Sequence, residues 1–165
     1  MNSIVVRRLG SSSPEAVERL CALLPQLSKS APKLDMQMLN EILVQPSVDL
    51  FVALVEGEDK VVGMLTLIRT AIPTGKKAVV EDVVVDTAAR GQNIGAKLLL
   101  AAFDAAYSYG ARYVDLTSRP DLEAANQLYV RAGFVRRETN VYRYSLESHE
   151  RSASQQSHAP IHDVS

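Results

Sequence analysis

The chain has 165 residues, 47% of them hydrophobic and 22% charged, with 18 Lys and Arg against 19 Asp and Glu. Such a chain can bury most of its apolar surface in one globular domain, and wholesale disorder is excluded. A formal net charge of −1 supplies no basic field to hold a polyanion, so nucleic acid is not expected as a partner.

Residues 3–9 read as an opening strand. Ser12-Ser13-Pro14-Glu15 is a helix start, with candidate caps, a proline in the first turn and a glutamate three places after Ser12. Ala16, Val17, Leu20, Cys21, Leu23, Leu24 and Leu27 give that helix an apolar face. Asp35 can cap a second short helix carrying Met38, Leu39, Ile42 and Leu43 before Pro46. Residues 50–55 and 61–72 are two strands around the turn Glu56-Gly57-Glu58-Asp59-Lys60, an antiparallel hairpin. Residues 78–86 form a further strand, too apolar through Val83-Val84-Val85 for a wet edge and therefore central.

The stretch that follows organises the reading. Arg90-Gly91-Gln92-Asn93-Ile94-Gly95 supplies small or left-handed-tolerant positions, and Ala96-Lys97-Leu98-Leu99-Leu100-Ala101-Ala102 continues as strong helix formers. A helix over 94–109 should end at Gly110 in a left-handed cap. Amides at such a strand-to-helix junction point outward with the positive end of the helix dipole behind them, a site suited to phosphate. The Gly91 and Gly95 spacing by itself is more often a close-packing device than a phosphate site. Residues 113–117 are then a strand, Asp121 or a neighbour caps a helix containing Leu122, Ala125, Leu128, Tyr129 and Ala132 closed by Gly133, and Phe134-Val135 with residues 141–146 read as a final pair of strands or one bent strand.

The resulting order, β-α-α-β-β-β-α-β-α-β, predicts a mixed α/β domain, with an antiparallel meander followed by right-handed parallel crossovers. Residues 1–146 are expected as this single domain, and 147–165, rich in Ser, Gln and His, as a polar tail.

The single cysteine, Cys21, cannot form an internal disulfide and reads as a buried structural thiol in a reducing compartment. The first residues lack the pattern of a signal peptide, and no apolar run approaches membrane-spanning length, so a cytoplasmic protein with no membrane partner is expected. All three histidines, His149, His158 and His162, lie beyond the last expected strand. The predicted core therefore holds no imidazole, which argues against Ser-His-Asp or Cys-His catalysis and against a histidine-ligated metal site. Acid–base work falls to carboxylates, tyrosines, lysine or water.

Two motifs carry a family resemblance. Arg90-Gly91-Gln92-Asn93-Ile94-Gly95 matches an Arg/Gln-x-x-Gly-x-Gly/Ala turn with Asn93 at the first motif glycine, and Asn126-Gln127-Leu128-Tyr129-Val130-Arg131-Ala132-Gly133-Phe134 matches Asn-x-x-Tyr-x-x-x-Gly-Phe. With both motifs at this separation, residues 4–146 resemble the GNAT superfamily of acyl-CoA-dependent N-acyltransferases. The resemblance implies a central mixed sheet of six to seven strands, splayed in the middle, with helices on both faces, and a homodimer.

It also implies an N-acetyltransferase that moves an acetyl group from acetyl-CoA directly to a primary amine of a small molecule or peptide in a ternary complex, without metal. Backbone amides of Arg90, Gly91, Gln92, Asn93, Ile94, Gly95 and Ala96 would cradle the coenzyme pyrophosphate, with Arg90 adding charge. The strand residues Val83, Val84 and Val85 would align the pantetheine arm and acetyl carbonyl through main-chain groups, and Asn126 would bond to the same arm. Tyr129, one helical turn after Asn126, would protonate the departing thiolate.

Amine attack requires a neutral amine, and Glu81 is the first candidate base. In a regular strand Glu81 shares a face with Val83 and Val85 while Asp82 points the other way, and a bulge would exchange the two. Glu81 can equally be a structural partner for Arg143, Arg69 or a backbone amide, and Asn126 can merely bridge the loop before its helix. The acceptor wall is expected from the two early helices and residues 139–144. An acyl-CoA-binding regulatory module without turnover, or a protein N-terminal or lysine acetyltransferase, are the alternative functions.

Overall fold

The computed structural model describes residues 3–58 and 60–146. The expected tail, 147–165, with all three histidines, lies outside the described residues. The chain divides into one unit spanning Met1–Phe134 and a second spanning Val135–Ser165.

In the first unit the elements are β1 (Ile4–Arg8), α1 (Pro14–Leu27), α2 (Met36–Leu43), β2 (Val48–Val55), β3 (Val61–Ile72), β4 (Gly75–Val85), α3 (Ile94–Tyr109), β5 (Val114–Asp115) and α4 (Glu123–Arg131). A single 3-10 turn, Thr87–Ala89, precedes α3. The five strands lie in the order β1-β2-β3-β4-β5. β1 to β4 are antiparallel neighbours, and β5 runs parallel to β4 through Ala78↔Val114 and Val79↔Asp115.

Period-two alternation sends the strand side chains into two cores. Leu50, Val52 and Leu54 of β2 pack with Leu20 and Leu23 of α1 and Leu39 of α2. Phe51 and Ala53, on the other face, pack with Leu98, Leu99, Ala102 and Ala106 of α3. Helices therefore cover both faces of the sheet. Leu39 is fully buried, which secures the short α2 by about 1.5–3 kcal/mol.

Helix ends follow local chemistry. Ser13 Oγ accepts from Ala16 N at 3.1 Å and Asp35 Oδ1 from Met38 N at 2.8 Å, each satisfying an otherwise orphaned donor. Gly110 ends α3 at φ 81°, a conformation that favours glycine. α4 departs from expectation: Leu122 occupies the cap position and makes no side-chain cap bond, while Asp121 lies 3.5 Å from Arg119 as an exposed ion pair.

Among the described residues the sheet has five strands, not six to seven, and none of 132–146 is in a strand. Alternating apolar residues supply a strand with a face but not with a partner. Val135, Val141, Tyr142, Tyr144 and Leu146 are all at least 69% exposed, so that face is uncovered in this structure. β5 is likewise shorter than the expected 113–117.

Candidate functional site

β4 is not regular. Its register with β3 passes from Thr66↔Glu81 to Met64↔Val84, so Asp82 and Val83 together oppose Leu65. Asp82 takes up the extra residue with φ 52°, a bulge built on one of the few side chains that tolerate the left-handed region. The bulge shifts the alternation. Val80 packs in the α3 core and so do Val83 and Val85, while Val84 packs in the α1/α2 core. Glu81, next to Val80, therefore faces the α1/α2 side with Val84, and the expectation that it shares a face with Val83 and Val85 is corrected.

Glu81 is exposed at its rim, yet partial desolvation, and secondarily the neighbouring Asp82 carboxylate, raise its pKa above the ordinary glutamate value. Arg69, one conceivable partner for Glu81, is held instead at Asp49, with Nε 2.7 Å from Oδ2.

Past Val79, β4 runs on through 80–85 with no partner on the β5 side among the described residues. One edge of its backbone is thus open over Glu81, Val83, Val84 and Val85. Just after β5, Ser118 Oγ is buried without a hydrogen-bond partner, and a hydroxyl left so costs about 1–3 kcal/mol.

The open strand leads into the loop. Asp86 N donates to Val62 O at 2.9 Å, Asp86 Oδ1 accepts from Ala88 N at 3.0 Å, and Gln26 Oε1 of α1 accepts from Thr87 N at 2.9 Å. Arg90, Gly91, Gln92 and Asn93 are exposed. Gly91 has φ 82° with open space where a Cβ would stand, so its glycine serves conformation. Asn93 enters α3 at φ 57° without a side-chain cap bond. The first helical bond is Lys97 N to Asn93 O at 3.0 Å, which leaves the amides of Ile94, Gly95 and Ala96 as the orphan donors of the first turn.

Gly95 serves a different purpose. A Cβ there would stand 2.6 Å from Leu128 Cδ2 of α4, so the second motif docks on the first through this glycine. Gly63 of β3, which the sequence reading passes over, has the same duty: its Cβ would stand 3.0 Å from Ile94 Cγ2, so its absence lets the start of α3 settle on the sheet. An isolated glycine in an apolar strand is the signal for such an approach. Gln26 has no comparable signal, and the Asp82 bulge, an alternative that the strand allows, has none in the residues that would have decided for it.

α4 brings Tyr129 to the α3 core, half-buried, with its ring edge-on to Phe134 at 5.9 Å between centroids, and Phe134 in turn 5.6 Å from Phe103. Burial raises the Tyr129 pKa above the ordinary phenol value, so its hydroxyl keeps its proton at neutral pH. Asn126 Nδ2 donates to Arg119 O at 2.9 Å, the loop-bridging role, which leaves Oδ1 as the atom able to accept from a ligand amide.

The donor set fits a phosphate-bearing thioester with an extended arm: three first-turn amides and the open Gly91 turn for the anion, an unpaired strand edge and the orphan Ser118 hydroxyl for the arm. Among the described residues no group of three or more His, Cys, Asp or Glu is placed to hold a metal ion. No described helix is long and apolar enough to cross a membrane.

Comparison with curated proteins returns no match. Solved structures do match. A putative acetyltransferase from Agrobacterium tumefaciens is 26% identical with a TM-score of 0.73, over 86% of this chain and 99% of that one. An aminoglycoside acetyltransferase, meta-AAC0020, from an uncultured soil metagenomic sample is 26% identical with a TM-score of 0.75, over 86% of this chain and 95% of that one. Aminoglycoside N-acetyltransferase AAC(6')-Iy, solved in complex with CoA, shares the fold at 16% identity with a TM-score of 0.73, over 88% and 97% of the two chains. The family model for the acetyltransferase (GNAT) family matches residues 17–134, the span that holds most of α1, the bulged strand, the amide loop and Tyr129, and the chain belongs to the GNAT acetyltransferase family.

Proposed function

We propose that this chain is an N-acetyltransferase that moves the acetyl group of acetyl-CoA directly to a primary amine of a small molecule or peptide, with both substrates bound at once. The observation that carries the reading is the continuity of an unpaired β4 edge with the orphan amides of Ile94, Gly95 and Ala96. One extended thioester lying along that edge would end with its pyrophosphate on those amides. Arg90 adds a positive charge at the same end, the backbone of Val83, Val84 and Val85 and the side chains of Asn126 and Ser118 hold the arm, and Gly91, Gln92 and Asn93 shape the turn.

The bulge sharpens the division of labour. Glu81 faces the α1/α2 side, from which an amine would approach, while Tyr129 packs on the α3 side, from which α4 reaches the sulfur. Glu81, directly or through a water, takes a proton from the ammonium, whose freed lone pair attacks the thioester carbonyl. The C–N bond forms, the C–S bond breaks, the Tyr129 hydroxyl gives its proton to the departing thiolate, and the second proton lost by the acylated nitrogen returns through water to the tyrosinate, leaving a neutral amide and free thiol. A carboxylate pKa raised toward neutrality improves the base, and a phenol kept protonated is the correct state for the acid. Alignment of the two substrates and a polarised carbonyl supply the rest of the barrier lowering.

The test is release of free thiol from acetyl-CoA across a panel of primary amines. Amine-dependent release that Tyr129→Phe slows supports the reading. Tight coenzyme binding with no release on any amine overturns it in favour of a regulatory module.

A further inference from the structure

Along the α3 face, with a floor about 10–16 Å and a far wall about 22 Å from the amide loop at ~1.5 Å per residue, lies a pocket that the acetyl-transfer site does not use. Its volume is about 560 Å³, and its floor is Phe51 of β2 with Ala101 and Ala105 of α3. Those two alanines, one turn apart, leave the gap that larger side chains would fill.

Around it stand three cations and one carboxylate. Asp49 is 3% exposed and is shared by Arg8, Nε 2.8 Å from Oδ1, and Arg69, Nε 2.7 Å from Oδ2. Arg69 is committed further, with Nη2 donating to Pro46 O at 2.7 Å. Its guanidinium and the Lys76 ammonium lie over the Tyr109 ring, 5.3 and 4.8 Å from the centroid, and Lys76 Nζ donates to Tyr109 O at 3.2 Å. One carboxylate cannot neutralise three cations, and Arg8 keeps half of its side chain in solvent. The residual charge is positive, over an apolar floor and beside an aromatic wall.

We propose that this pocket binds a small organic anion, a carboxylate or phosphate on an apolar body, independently of acetyl-CoA. The pocket is open to solvent over much of its surface, so the hold on a ligand rests chiefly on its charged head. The anionic head would pair with Arg8 and Lys76, whose donors are the least committed, while the body covers Phe51, Ala101 and Ala105. Arg69 and Asp49, saturated by each other, hold the wall in place.

Titration of the isotope-labelled full chain with benzoate, phenyl phosphate and uncharged benzamide, followed by amide NMR, tests this. Saturable shifts at Lys76, Ala105, Ser108 and Tyr109 with either anion, and none with benzamide, are expected, and which anion binds tighter identifies the head group. Arg8→Gln and Lys76→Gln, both at exposed side chains, should each weaken that binding about tenfold, the loss of one charge-assisted bond, while the fold and the affinity for coenzyme A stay unchanged. Equal binding of benzamide, shifts confined to residues 91–96, or affinity unmoved by both variants would overturn the proposal.

Discussion

Gly63→Ala is the sharpest test of how the sheet positions the loop. Its new Cβ would stand 3.0 Å from Ile94 Cγ2, 3.2 Å from Leu98 Cδ1 and 3.2 Å from Val84 O. None of the three yields easily. Ile94 is β-branched and stiff, Leu98 is fully buried, and Val84 O is backbone. The first turn of α3 must lift by a few tenths of an ångström, at an overpacking cost of about 1–3 kcal/mol. For a domain of this size that lowers Tm by roughly 2–12 °C, at about 2–4 °C per kcal/mol. The same lift displaces the amides of Ile94, Gly95 and Ala96, so the Kd for coenzyme A should rise. Gly10→Ala is the control: nothing lies within 4 Å of its Cβ and its φ is not in the left-handed region, so a gain of about 0.4–1 kcal/mol from the stiffer unfolded chain is expected. Thermal unfolding and coenzyme titration of both variants measure this. If Gly63→Ala melts with or above Gly10→Ala, close packing is not why residue 63 is glycine.

Other perturbations separate the remaining roles. Tyr129→Phe should lower kcat by about 10²-fold, the low end for a general acid, with the KM for acetyl-CoA little changed, and steady-state thiol release reads both. Because the Glu81 pKa is raised, activity should climb with pH through a value above the ordinary glutamate range; Asp82→Asn, which removes the like charge, should move that limb to lower pH, and Glu81→Gln should abolish it. Asp82→Gly should keep the bulge and hold or raise Tm, whereas Asp82→Val should cost about 1–2 kcal/mol for φ 52° by chemical denaturation. Ser118→Ala should stabilise the free protein by relieving an unsatisfied hydroxyl while weakening coenzyme affinity, a pair of opposite signs that calorimetry and denaturation together detect.

What the sequence by itself determined was set by nearest neighbours along the chain. Ser13 and Asp35 cap because a side-chain oxygen reaches an amide three residues on, Gly110 ends α3 because little else takes φ 81°, and Asn93 stands where a left-handed residue must precede a helix. The strand, loop and helix of the coenzyme half of the site are legible for that reason, as is Tyr129 one turn beyond Asn126. The tertiary structure decided what depends on a partner distant in sequence. Whether Glu81 faces α1 or α3 rests on Leu65 meeting two residues of β4 instead of one, and a single inserted residue reverses a period-two pattern. Whether Gly91 and Gly95 serve conformation or packing rests on Leu128. Whether residues 141–146 form a strand rests on a neighbour to pair with, and whether Arg8, Arg69 and Lys76 line one pocket rests on Asp49, which holds the two arginines, and on Tyr109, which holds the lysine.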